Sequence, residues 1–173
     1  MKNNHKFFRK FLIALISLAF FFFSFVSLTY ADVNKESLVA LTNQKRAEKG
    51  LSPLKINYSL EISAITKAND MLANNYWAHN SPQGKTPWFF IRSAGYRYRF
   101  AGENLAEGYN SAETVIAAWM VSPSHRANIL NRNYKEIGIA IISGNLKGES
   151  TTLVVEHFGS SYQTKVTKKI AKK

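Results

Sequence analysis

Three histidines in the body of the chain, His79, His125 and His157, and one glutamate, Glu103, are the side chains whose types suit chemistry. An imidazole titrates near neutrality, so it can carry a proton or hold a cation. A carboxylate beside it can take a proton or orient water. His79 stands in "YWAHNSP", Glu103 in "AGENLAEG" and His125 in "WMVSPSHRANIL". No two histidines are spaced i, i+4, and no H-E-x-x-H occurs, so there is no local metal motif. Any site is assembled by folding. Ser81, Ser122 and Ser124 are the nearby hydroxyls, yet none occupies G-x-S-x-G and no Asp follows in a triad order. Geometry brought about by the fold could still activate one. Each residue also has a plain structural reading: a lone histidine caps or packs more often than it ligates. His157 alternates with Val155 and Leu153 and reads as one strand face, in a structural role. Trp77 and Trp88 read as core more readily than as cleft, Arg126 as solvated or ion-paired, and Asn104 as a partner for backbone beside Glu103.

The elements that must position these residues are helices first and strands late. The stripe of Leu38, Val39 and Leu41 predicts a helix from Asp32 to a stop at Gly50. Ser52-Pro53 reads as a turn. Asn57 or Ser59 caps a second helix in which Leu60, Ala64, Ala68, Met71 and Leu72 recur at helical spacing. Thr86-Pro87 predicts a helix start that runs to Gly95. Asn110 with Glu113 resembles a capping box for the helix carrying Val115, Ile116 and Trp119. Glu136–Ile142 and Thr151–Phe158 are β-branched runs that predict an antiparallel hairpin around a polar loop, 143–150. "YRYRF", 96–100, alternates as a further strand does. With no βαβ alternation, the class is α+β.

Composition narrows the setting. The formal charge is +12, but four of the 23 Lys and Arg lie in the first ten residues and five (Lys165, Lys168, Lys169, Lys172, Lys173) in the last nine. Residues 32–164 hold 14 basic and 11 acidic side chains, too even a balance for a nucleic-acid-binding face. Residues 1–31 read as a signal peptide, with a basic start, an apolar run from Phe11 to Tyr30 and Thr29-Tyr30-Ala31 as cleavage site. The same run is long enough for an uncleaved membrane anchor. A lipoprotein anchor is excluded, because the chain has no cysteine. An exported chain without disulfides must be held by its core. The domain reading is 1–31 leader or anchor, 32–163 one domain, 164–173 basic tail. Asn57-Tyr58-Ser59 fits a glycosylation sequon, though the capping role of Asn57 already accounts for it.

"YWAHNSP", "AGENLAEG", "WMVSPSHRANIL", "YKEIGIAI" and "VVEHFG", in this order over residues 36–160, resemble the CAP superfamily in its bacterial SCP-like extracellular form. The resemblance implies an α-β-α sandwich, a small antiparallel sheet flanked by helices. It also implies a surface cleft with two histidines and two acids. By motif, His79 is the first histidine, Glu103 the first acid and His125 the second histidine. The second acid belongs about three residues after Trp119, where this chain has Ser122. A hydroxyl is neither a base at neutral pH nor a good zinc ligand. Two imidazoles with one carboxylate imply at most a weak, exchangeable site for zinc or another divalent metal.

Three functions stay open at this point. The first is an exported binding or interaction module that uses a cleft of His79, Glu103, Asn104, Ser122 and His125. Its ligand would be a lipid, a sterol-like molecule, cell-wall material or a peptide. The second is a metal-assisted hydrolase or peptidase, with His79 and His125 on zinc and Glu103 activating water. The third is a wall- or surface-associated structural protein attached by its basic tail to anionic polymer or head groups. The missing acid favours binding over catalysis, and the oligomeric state is not encoded in any feature of the sequence.

Overall fold

The computed structural model describes residues 33–162. The expectations for the leader or anchor, residues 1–31, and for the tail lysines Lys165, Lys168, Lys169, Lys172 and Lys173 lie outside the described residues.

Among the described residues five helices form where the caps allow. Helix α1 (Lys35–Ala47) starts at Asn34, whose side chain accepts from the Ser37 amide at 2.8 Å. Past its end Gly50 sits at φ +66°, a left-handed conformation that glycine adopts without strain. Helix α2 (Tyr58–Ala73) is capped by Asn57, which accepts from the amides of Ser59 and Leu60. Helix α3 (Pro87–Ser93) begins with proline at its first turn, as expected, although the Thr86 hydroxyl makes no capping bond. Helix α4 (Ala112–Val121) is capped by Ser111, which accepts from Thr114 N. The expected Asn110–Glu113 box is therefore off by one residue. Helix α5 (Pro123–Ile129) follows at once, with Ser122 closing one helix and opening the next.

Four strands form one sheet in the order β1 (Lys55–Ile56), β3 (Glu136–Leu146), β4 (Glu149–Ser161), β2 (Tyr98–Glu107). β3 pairs antiparallel with β4, and β4 with β2, while the two-residue β1 lies parallel to β3. The β3–β4 hairpin is longer than the sequence suggested. Instead of a polar loop over 143–150, pairing continues to Leu146 and Glu149. The reason is Lys147-Gly148, both at positive φ (54° and 89°), the tight turn that suits the twist of a hairpin. β2 is the larger surprise: "AGENLAE" is strand, although Ala, Gly, Glu and Asn are poor strand formers.

Side chains alternate between two faces of this sheet. On one, Leu105, Ala140, Leu153 and Val155 pack with Ala64, Ala68 and Met71 of α2. On the other, Ala106, Ile137, Ile139, Val154 and Phe158 pack with Leu38 of α1, Val115, Ile116 and Trp119 of α4 and Ile129 of α5. The result is helices on both faces of a small sheet, the α-β-α sandwich. Gly138 lets α2 close on β3: a Cβ there would overlap the backbone of Leu60 and Glu61. Buried Arg46 ties α1 to the following turn and to the end of α5 and the chain after it, by donating to the carbonyls of Ser52, Ile129, Asn131 and Tyr134.

Among the described residues no fifth strand pairs with the outer edge of β2. Its carbonyls are met instead by side chains: Tyr134 Oη donates to Ala101 O (2.9 Å), Asn128 Nδ2 to Glu103 O (3.0 Å) and Trp119 Nε1 to Leu105 O (3.0 Å). This closes an edge that would otherwise be open to pairing. It also fixes the strand that carries Glu103.

Candidate functional site

Glu103 projects from β2 to the α2 side of the sheet, directly across from His157 on β4. Its side chain is 2 % exposed and both carboxylate oxygens are engaged. His157 Nε2 donates to Oε2 at 2.9 Å, and His79 Nδ1 to Oε1 at 2.6 Å. Both nitrogens must be donors here, because an ionised carboxylate only accepts. Burial pushes the Glu103 carboxyl upward, but the hydrogen bonds from His157 and His79 and the charge of Lys67 outweigh it and hold it below its ordinary range. Behind His157, Ser63 Oγ of α2 lies 2.5 Å from Nδ1. A line of four side chains, Ser63–His157–Glu103–His79, thus runs from the buried helix face to the surface.

His79 stands at the outer end of that line, its side chain 55 % exposed. With Nδ1 committed to Glu103, its Nε2 is left as the atom available to a ligand, and in the neutral ring that atom is an acceptor. The loop bearing His79 is held from beneath by Lys67, which is fully buried on α2. Its three ammonium hydrogens go to Tyr76 Oη (3.1 Å), Ala78 O (2.8 Å) and His79 O (2.8 Å), and the charge lies over the rings of Tyr76 and Phe90. Tyr76 Oη donates in turn to Asp70, which also pairs with Lys85. Burial moves the Lys67 ammonium below its usual value, the charge of Glu103 and Asp70 opposing the shift.

A cleft of about 340 Å³ opens here, walled by His79, Asn80, Pro87, Trp88, Ala101, Gly102, Glu103 and Asn128. Trp88 is one third exposed and adjoins Tyr98 at 6.3 Å between ring centroids. Gly102 cannot carry a side chain, since a Cβ would overlap Tyr134 and Asn128. Trp88 is thus a cleft residue rather than the core residue expected, whereas Trp77 does pack against the apolar layer under α2.

The other residues singled out in the sequence are placed differently. His125, on α5, is half-buried, 6.3 Å from the Trp119 ring, and is not among the cleft walls. Burial and the nearby charge of His79 both lower its pKa, so the neutral ring is favoured. Asn104 points to the opposite sheet face. There it donates to His125 O and to Glu156 Oε2, each at 3.3 Å, and accepts from Asn128 Nδ2 at 2.9 Å. Ser122 sits at the α4–α5 junction with its Oγ 3.4 Å from Ser124 Oγ. Ser81 closes a turn, accepting from Lys85 N. Arg126 is exposed.

The expected divalent metal is corrected by this geometry. Among the described residues no group of three or more His, Cys, Asp or Glu is arranged to hold a metal ion. The physical reason lies in Glu103, the third donor that His79 and His125 would need: His79 and His157 already occupy both of its oxygens. The weak zinc site on His79 and His125 is therefore overturned.

Sequence reasoning missed Ser63, Lys67 and Glu156, and gave His157 only a place on a strand face. A signal did exist for two of them. Ser63 and Lys67 fall on the stripe of α2 that holds Leu60, Ala64, Ala68 and Met71, so polar groups there had to find buried partners.

The sandwich and its buried His/Glu network define a known class. The model of the CAP family (cysteine-rich secretory protein family) matches residues 39–158, and the chain belongs to that family despite having no cysteine. The chain is 42% identical over 113 residues to the uncharacterized protein YkwD of Bacillus subtilis, a match covering 65% of this chain and 44% of that protein. An outer surface protein of Borrelia burgdorferi is similar in structure, with TM-score 0.65, 25% identity, and coverage of 78% of this chain and all of that one. So is an extracellular SCP-domain protein of Bacillus anthracis, with TM-score 0.63 and 25% identity, covering 73% of this chain and 40% of that one. The chain thus spans less than half the length of two of these relatives.

Proposed function

We propose that this protein is an exported binding module whose cleft takes a neutral, hydroxyl- or amide-bearing ligand of the kind cell-wall glycopeptides present. The observation that carries this reading is the Glu103–His79 pair, which fixes one imidazole nitrogen and leaves the other available beside the Trp88 ring. A polar group next to an aromatic face suits a ligand with hydroxyls or amides on a flat apolar side. The buried negative charge of Glu103 disfavours anions at this position, and about 340 Å³ is small for a long acyl chain or a sterol-like molecule. No hydroxyl or thiol stands among the cleft walls, and Ser63, the hydroxyl on the His157–Glu103 line, is fully buried. The cleft walls therefore offer no serine, threonine or cysteine nucleophile for acyl transfer. An extracytoplasmic location is supported by the two structural relatives, one an extracellular and the other an outer surface protein. Among the described residues no helix is long and apolar enough to cross a membrane. The leader or anchor at 1–31, the domain bounds 32–163 and the separate tail belong to this same proposal, as does attachment of the tail to an anionic surface.

The test is calorimetric titration of the protein with soluble glycopeptide fragments of bacterial cell wall. We expect saturable binding that weakens at least tenfold in both His79→Ala and Trp88→Ala, while Arg126→Ala leaves it unchanged. Binding of equal strength in the His79 and Trp88 variants would overturn the assignment of the cleft, and tighter binding of a fatty acid would replace the ligand class.

A further inference from the structure

A second and larger groove, of about 930 Å³, shares no residue with the cleft around His79. Lys55, Arg99, Arg132 and Lys135 all line it and all four are exposed. None of them belongs to any of the five ion pairs among the described residues. Arg99 rests over the Phe100 ring, and Lys135 Nζ donates to the Arg132 carbonyl, so neither charge is neutralised. The one carboxylate in the groove is Glu136, and it is already bound: it accepts from Tyr96 Oη at 2.6 Å and from Asn57 Nδ2 at 2.8 Å. Four of the 14 basic side chains between 32 and 164 thus gather in one groove, in a stretch of chain where acidic residues nearly balance them.

From this concentration of unpaired cations we infer a second binding site, for a flexible anionic polymer carrying phosphate groups at intervals. A single exposed charge pair is weak and readily screened. A chain with repeated phosphates engages several cations at once, each contact raising the effective concentration of the next. The concave shape favours a strand lying in the groove over a flat membrane surface, and the hydroxyls of Ser52 and Ser161 at its walls offer donors to phosphate oxygens. This site is independent of the ligand proposed for the cleft.

The test uses the full chain and a glycerol-phosphate oligomer as probe, followed by fluorescence anisotropy at low and at moderate salt. The Arg99→Glu/Arg132→Glu variant changes only exposed side chains, and an unaltered unfolding temperature confirms that it folds. We expect affinity to fall at least tenfold in this variant, to weaken with salt, and to stay unchanged in His79→Ala. The same titration on a form with Lys165, Lys168, Lys169, Lys172 and Lys173 changed to Gln separates the groove from the tail. Affinity lost with the tail lysines but kept in the groove variant would overturn the inference, as would equal loss in His79→Ala. Vesicles containing phosphatidylglycerol provide the last arm: preference for them over the oligomer would replace the polymer with a lipid surface, while inorganic phosphate alone should compete poorly.

Discussion

Glu103 shows how a buried charge is kept. Two imidazole donors and the nearby ammonium of Lys67 outweigh its loss of hydration, so the carboxylate persists where an unpaired one would take up a proton. Because its folded pKa is depressed, it adds stability that is present above the ordinary carboxylate value and is lost as pH falls through the lower, folded one. Glu103→Gln keeps the shape but offers one acceptor where two donors arrive. We expect it to destabilise the protein by about 1–3 kcal/mol, read from urea unfolding at neutral pH. It should also shift the NMR resonance of His79 Nδ1, since that nitrogen loses its anionic partner. An unchanged midpoint and an unchanged resonance would show that the pair does not order the site.

At the scale of elements, the His79 loop is held by a helix rather than by its own turn chemistry. Lys67 reaches from α2 to two successive carbonyls, Ala78 O and His79 O, and its removal leaves them without their donor. Lys67→Met conserves much of the volume and should cost roughly 2 kcal/mol. The more telling readout is amide hydrogen exchange, which should speed up in residues 77–81 while the β3–β4 hairpin keeps its protection. Uniform acceleration over the whole sheet would mean that Lys67 serves the core and not the loop. β2 depends on neighbours in the same way, for its outer carbonyls are satisfied by Tyr134, Asn128 and Trp119. That explains why a segment with weak strand propensity was not legible as one: its pairing is supplied from elsewhere in the chain.

Across the whole molecule, fully buried Glu156 and half-buried His125 set opposing dependences on pH. Glu156, fully buried against Thr42 and Asn104, has its pKa pushed up to about 8 by burial, which outweighs those two hydrogen bonds. The folded state therefore holds a proton there that the unfolded chain has released, and stability falls as pH rises from about 4.5 towards 8. His125 acts in the other direction. Its folded pKa is lowered, so stability gained from the neutral ring is complete above the unfolded value near 6.5 and declines below it. Between pH 6.5 and 8 only the Glu156 effect remains. We expect roughly 1–2 kcal/mol of stability to be lost over that interval, measured by denaturant unfolding. Glu156→Gln can still meet Thr42 and Asn104 and should flatten the decline. A slope that persists in this variant would assign it to another group.

The sequence by itself determined four of the five described helices, the late hairpin and the family, but not the short helix Pro123–Ile129. Their signals are local: cap residues before apolar stripes, β-branched runs, and five short motifs in order. It also named His79, Glu103 and His125. Only the tertiary structure decided which of them meet. Strand register placed His157, not His125, on the second oxygen of Glu103, and alternation along β2 sent the adjacent Asn104 to the opposite face. It also used up both oxygens of the carboxylate, which removed the metal site that the residue types had suggested. Such pairings depend on atoms far apart in the chain coming within about 3 Å, and no spacing in one sequence records them.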